Sequence, residues 1–227
     1  MQDKMMRKLS DQSNKLFVVV GGNIGSGKTT LTNKLSARLG WKAHYESVTD
    51  NPYLSDFYAD MKRWSFTLQV YFLTHRFETH QNIVRSPASA IQDRSIYEDV
   101  NIFARALFDQ GEMDLRDYEN YKRLYENMTQ FLTPPDLMIF LKRSTPKLIE
   151  RIKLRNRNYE QSIPEAYLDR LNTYYNDWFY SYNLGKTLII ETDDLDLLES
   201  EDDFNYLIKR VFESLDQKEM FASQFLH

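Results

Sequence analysis

Lys28 and Thr29 close a short run, Gly21-Gly22-Asn23-Ile24-Gly25-Ser26-Gly27-Lys28-Thr29, that holds four of the chain's seven glycines. From Gly22 it fits the spacing G-x-x-x-x-G-K-[ST]. Glycine lets backbone N–H groups turn toward one point with no Cβ in the way, and a following helix adds partial positive charge at its N-terminus. Gly22, Asn23, Ile24, Gly25, Ser26, Gly27, Lys28, Thr29 and Thr30 are thus the expected phosphate cradle. Lys28 would reach the β- and γ-phosphates of a nucleoside triphosphate, and the Thr29 hydroxyl would face Mg²⁺.

Phosphoryl transfer needs more than a cradle: a base for the attacking hydroxyl, a carboxylate near Mg²⁺, and cations for the charge on the moving group. Two acids stand where such groups belong, Glu46 in Tyr45-Glu46-Ser47-Val48 and Asp93 in Asp93-Arg94-Ser95. Each directly follows an apolar run of strand length. Further along, Arg151, Arg155 and Arg157 lie on a helix end running into a cationic loop, a pattern suited to an arginine lid over a triphosphate.

A third group of residues could read a base. The segment Trp64-Ser65-Phe66-Thr67-Leu68-Gln69-Val70-Tyr71-Phe72-Leu73 is apolar on nearly every side and predicts a buried helix over about 63–85. Gln69 interrupts it, and Arg76, seven residues on, shares its face. A buried amide needs a hydrogen-bond partner, and a glutamine amide pairs with an adenine-like edge. Asp99, six residues after Asp93, could orient Arg76 and meet an exocyclic amine.

These residues need a scaffold that brings strand ends together. Leu16–Val20, Trp41–Tyr45, Ser89–Gln92, Leu137–Leu141 and Thr187–Ile190 read as five strands separated by helical patterns. That alternation predicts an α/β fold, a parallel sheet covered by helices on both faces, with ligands outside the carboxyl ends of the strands. Expected helices run over Thr30–Leu39, 98–109, Leu115–Leu132 capped by Asp114, Thr145–Arg155, Pro164 to about Leu184, and Phe204–Met220.

Composition narrows the function classes. A net charge of −4 advertises no surface for nucleic-acid polymers. The chain has no cysteine, which removes disulfides and thiol or cysteine-metal chemistry. No apolar run approaches the roughly 20 residues of a membrane span. Residues 1–15 mix both charge signs and resemble neither a secretory signal nor a transit peptide; we expect a flexible tail, a single domain over 16–220 and a cytoplasmic enzyme.

Taken in order, the motifs resemble the deoxynucleoside kinases that include deoxycytidine, deoxyguanosine and deoxyadenosine kinases. The resemblance runs from about Phe17 to Leu184 through the phosphate loop from Gly22, Arg63-Trp64-Ser65-Phe66-Thr67-Leu68-Gln69, Asp93-Arg94-Ser95, and Arg155-Asn156-Arg157-Asn158-Tyr159-Glu160-Gln161. It implies a P-loop kinase fold with ATP and Mg²⁺, and catalytic roles for Glu46 as general base and for Arg94 and Lys28. Thr29 and Asp93 would hold Mg²⁺. Gln69, Arg76, Asp99 and Phe103 would form the base pocket, while Tyr58 and Glu160 would meet the 3′-hydroxyl. Asp193-Asp194-Leu195 would contact the donor base. A homodimer is implied too, and the aromatic-rich helices 98–109 and 114–132 offer apolar surface for it.

Some positions depart from the family pattern. Glu46-Ser47-Val48 stands where Glu-Pro-Val is frequent, Tyr159 where many relatives carry a second Glu, and Asp93 where animal enzymes have Glu, as in the bacterial-type branch. Retention of both Arg76 and Asp99 favours a purine deoxynucleoside, deoxyadenosine first, over thymidine. A nucleoside monophosphate kinase and a non-catalytic assembly subunit remain alternatives. The first would need more cations at the acceptor than Arg94, and the second would be signalled by loss of Lys28, Glu46 or Asp93, none of which is lost.

Overall fold

The computed structural model describes residues 15–45, 51–155, 163–197 and 199–215. Five parallel strands, β1 (Phe17–Gly22), β2 (Lys42–His44), β3 (Ala90–Asp93), β4 (Leu137–Lys142) and β5 (Lys186–Glu191), form one sheet in the order β2-β3-β1-β4-β5. Side chains alternate across it. Phe17, Val19, Met138 and Phe140 enter one core, whereas Val18, Val20, Leu137, Ile139 and Leu141 enter the other. Burial on both faces explains why these strands read as continuous apolar runs.

The first core packs against α3 (Met61–Arg85), a π-helical turn at Asp99–Ala104, α5 (Leu115–Thr129) and α7 (Glu165–Ser181); α2 (Leu54–Ala59) and α4 (Arg105–Asp109) complete that layer. The second packs against α1 (Lys28–Leu39) and α8 (Glu201–Ser214). The remaining helix, α6 (Thr145–Arg155), meets α7 through Leu148, Ile152 and Leu168.

Several boundaries differ from expectation for physical reasons. Strand β3 runs one residue further than expected, so that Asp93 is its last residue, paired with Val20. Helix α3 begins at Met61 because the Asp60 carboxylate accepts from the Arg63 N–H at 3.0 Å. Likewise α8 begins at Glu201, three residues before the expected start, because Ser200 caps it by accepting from Asp203 N–H at 3.1 Å. The expected C-terminal end of that helix, 216–220, lies outside the described residues, as do residues 1–14 of the tail expected over 1–15, whereas Lys15 donates to the carbonyls of Ile83 and Val84 at 2.8 Å. Asp114 occupies the cap position of α5 without a side-chain cap bond, and the helix stops at Thr129. The apolar spacing suggested Leu132, but Phe131 is 76% exposed and anchors nothing. The span 98–109 is a π-helical turn followed by one α-helical segment.

Candidate active site

The strand-loop-helix from β1 into α1 forms the cradle the sequence predicts. Gly22, Gly25 and Gly27 all take positive φ, and at Gly22 and Gly25 there is also no room for a side chain. A Cβ on Gly22 would lie 2.7 Å from Ser26 Oγ, and one on Gly25 would lie 2.9 Å from the Leu148 carbonyl. Lys28 Nζ donates to the carbonyls of Gly22 (2.9 Å) and Asn23 (2.8 Å), so its charge sits inside the loop. Asn23 ties the loop to α7: its amide donates to the Leu168 carbonyl (2.9 Å) and to Asn172 Oδ1 (2.7 Å), and its own oxygen accepts from Ile24 N–H (2.7 Å).

Beside this loop the end of β3 supplies the second set of groups. The Thr29 hydroxyl donates to Asp93 Oδ2 at 2.5 Å. Two hard oxygen donors on facing elements fit Mg²⁺, which binds through few protein ligands and completes its shell with water and phosphate oxygens. Among the described residues no group of three or more His, Asp and Glu converges for an all-protein metal site. Arg94 follows at φ 67, the only non-glycine described residue with positive φ, at a cost of about 1–3 kcal/mol. Its guanidinium lies 4.3 Å from the Phe103 ring centroid and donates to the Tyr175 hydroxyl at 3.3 Å.

One cavity of about 480 Å³ joins these parts to the base-reading candidates. Gly25, Lys28, Thr29, Asp93 and Arg94 line one region; Tyr58, Gln69, Phe72, Arg76 and Phe103 line another. Gln69 and Arg76 are 5% and 7% exposed, and Gln69 Oε1 has no hydrogen-bond partner among the described residues. Arg76 pairs with Asp99 and lies 4.7 Å from the Phe72 ring centroid. Asp99 is fully buried behind Arg76 and does not line the cavity.

Tyr167 also lines the cavity, and burial pushes its phenol up to about 12, so it remains a neutral donor. Arg155, at the end of α6, reaches the cavity wall. Arg151, one turn earlier, faces Asp196 at 3.9 Å and does not line the cavity. Asp193 accepts from Ser144 N–H at 2.8 Å where β4 and β5 end. Glu46, Arg157 and Glu160 lie outside the described residues.

Sequence reasoning missed Glu98. Its fully buried carboxylate accepts from Ser95 N–H (2.7 Å), Ser95 Oγ (3.3 Å), the Tyr175 hydroxyl (2.7 Å) and Gly22 N–H (3.5 Å). Arg143 was missed as well. Buried where β4 ends, it donates through Nε to Thr192 Oγ1 (3.0 Å), and burial holds its pKa below the ordinary arginine value. Each stands next to another charged residue, Glu98 beside Asp99 and Arg143 beside Lys142, and nothing local marks it as buried.

Comparison with known proteins agrees with this geometry. The family model for deoxynucleoside kinase matches residues 18–216. The chain is 38% identical over 197 residues to a deoxyadenosine/deoxycytidine kinase of Bacillus subtilis, covering 86% of this chain and 91% of that one. It is 39% identical over 207 residues to a deoxyguanosine kinase of Lactobacillus acidophilus, covering 87% and 90%. The structure of deoxyadenosine kinase from M. mycoides with bound dATP superimposes with a TM-score of 0.75 at 30% identity, covering 86% of this chain and 98% of that one. With its phosphate loop, its Asp-Arg-Ser turn and its parallel sheet in the P-loop kinase arrangement, the chain belongs to the deoxynucleoside kinase family.

Proposed function

We propose that this protein transfers the γ-phosphate of ATP to the 5′-hydroxyl of a deoxynucleoside in nucleotide salvage, with purines preferred and deoxyadenosine first. The observation that carries the reading is the shared cavity: a phosphate cradle and a buried amide with an unsatisfied oxygen line one space of about 480 Å³. A site built only for a triphosphate has no use for a buried Gln69 and Arg76 in its wall.

In this reading the backbone N–H groups of Gly25 to Thr30 and the Lys28 ammonium hold the donor phosphates. Thr29 and Asp93 hold Mg²⁺, which when bound offsets phosphate charge. Glu46 takes the proton of the 5′-hydroxyl as its oxygen forms the new bond to phosphorus and the bond from phosphorus to the departing ADP breaks. Arg94 steadies the acceptor's 5′ end, and Arg151, Arg155 and Arg157 supply lid charge. Gln69, Arg76 and Phe103 meet the base, with Asp99 orienting Arg76 from behind; Tyr58 and Glu160 meet the 3′-hydroxyl.

The same reading includes a homodimer and a cytoplasmic setting. Leu115 and Leu124 on α5, and Phe131 just past its end, are exposed and support an interface there. Among the described residues no helix is long and apolar enough to cross a membrane. The test is a panel of deoxynucleosides and deoxynucleoside monophosphates with ATP and Mg²⁺, resolved by product mass. Phosphorylation of deoxyadenosine above the other acceptors is expected. A protein that phosphorylates a monophosphate and no nucleoside is a nucleoside monophosphate kinase instead.

A further inference from the structure

We propose that Glu98 is a positioning residue for the phosphoryl transfer: its buried carboxylate joins the phosphate loop to the Asp93-Arg94-Ser95 turn and, through Tyr175, orients Arg94. The inference rests on the kinase reading above and adds to it a group that contacts neither substrate. Glu98 stands one turn after Arg94, inside the protein, and every bond it makes is as an acceptor. Each partner belongs to a different part of the site. Gly22 N–H is the first donor of the phosphate loop, and the carbonyl of that same glycine accepts from Lys28. Ser95 N–H follows Arg94, whose backbone is held at positive φ. The Tyr175 hydroxyl donates to Glu98 and accepts from Arg94 Nη1.

The arrangement solves a specific problem. A non-glycine residue in the left-handed region persists only where its surroundings over-determine it. Arg94 N–H bonds the Val20 carbonyl before the turn, and Ser95 N–H bonds Glu98 after it, so the strained residue is pinned on both sides. The guanidinium is then aimed by the Phe103 face and the Tyr175 oxygen. The carboxylate lies against β1, where a Cβ on Gly21 would be in ordinary contact with it at 3.4 Å. Val20 and Asp93, which pair where loop and turn begin, are 73 residues apart in sequence, and Glu98 bonds both segments in addition to the Thr29–Asp93 contact.

A glutamine at 98 has the same shape but only one acceptor oxygen. Its NH₂ would face either the Ser95 donors or the Gly22 and Tyr175 donors, so one arm of the clamp must fail. Tyr175→Phe breaks the arm to Arg94 alone and leaves the carboxylate its other three donors. We expect Glu98→Gln to lower kcat at least tenfold while KM for the deoxynucleoside stays within about threefold. Tyr175→Phe should lower kcat several-fold. Folded Glu98→Gln or Tyr175→Phe protein with wild-type kcat overturns the proposal. If Glu98→Gln does not fold, Tyr175→Phe decides alone: kcat within twofold of wild type overturns it. Should wild type phosphorylate no deoxynucleoside, the kinase reading falls and takes this one with it. An active wild type matched by its variants sinks only the role of Glu98.

Discussion

The carboxylate of Asp99 is closed onto the guanidinium of Arg76 with no exposure of its own, so of the two only Arg76 faces the cavity. Removing one partner of a buried pair leaves an uncompensated charge and costs about 3–5 kcal/mol, whereas removing both is far milder. Asp99→Ala should therefore destabilise the protein strongly, and Arg76→Met with Asp99→Ala should recover most of the loss in urea unfolding. The double variant also leaves a larger, more apolar pocket. The ratio of kcat/KM for deoxyadenosine over thymidine should fall in it; an unchanged ratio in active, folded protein means these residues do not read the base.

Glu46 is the proposed base, and its exchange for glutamine keeps size while removing the proton acceptor. Turnover should drop by about a hundredfold or more with nucleotide affinity retained. Lys28→Ala should instead impair donor binding and turnover together, a contrast that titration of an ATP analogue followed by steady-state kinetics resolves. Turnover within a few-fold of wild type in Glu46→Gln assigns the base elsewhere.

Thr29 and Asp93 make a compact pair of oxygens at 2.5 Å. Asp93→Asn removes the charge from that pair and should raise the Mg²⁺ concentration for half-maximal rate by about tenfold or more. The check is a Mg²⁺ titration of initial rate at saturating ATP; an unshifted midpoint places the metal on other groups.

Stability should depend on pH through His80. Burial lowers its pKa from the ordinary 6.5, outweighing the contact with the Thr133 carbonyl, which acts in the opposite direction. The unfolded chain then binds a proton below about pH 6.5 that the folded chain refuses. Stability is complete above that pH and falls as pH drops toward the folded value, by at most about 1.4 kcal/mol per pH unit. His44, lowered by burial and by Lys42, adds in the same direction. Urea midpoints at pH 7.5 and 5.5 should therefore differ less in His80→Phe than in wild type, even if the variant is weaker at both.

Light scattering at micromolar concentration should give twice the 27.1 kDa chain mass. Leu124→Glu, which puts a charge at an exposed apolar position of α5, should shift the population toward monomer; a wild-type monomer removes the dimer from the reading.

What was legible in the chain divides by range. The loop from Gly22 to Thr29 is a local device, and its strand and helix flank it directly, so the cradle could be read from one stretch of sequence. Asp93 was legible because a buried strand ends visibly where polar residues resume. Glu98 was not, because its meaning comes from Gly22 and Tyr175, 76 and 77 residues away. Read alone, it is one acid in an aromatic helix. Asp99 was found with two roles, orienting Arg76 and meeting an exocyclic amine; it pairs with Arg76 but does not line the cavity, and periodicity does not tell a side chain that faces a ligand from one that supports its neighbour. Nor does spacing separate a π-helical turn from an α-helical one over the six residues Asp99–Ala104. Phe131 misled for a related reason: an apolar residue at helical spacing looks like core, yet here it faces solvent.

The pairing of Val20 with Asp93 turns the sheet into a ruler. Side chains alternate along a strand, so a slip of β3 by one residue against β1 would send the Asp93 carboxylate to the opposite face and set Gln92 or Arg94 beside Thr29. The spacing between the phosphate loop and the Asp-Arg-Ser turn is thus defined by backbone ladder bonds between two central strands, which no side-chain repacking can lengthen. A single-residue deletion inside β3 displaces the proposed metal ligand even where the core refills.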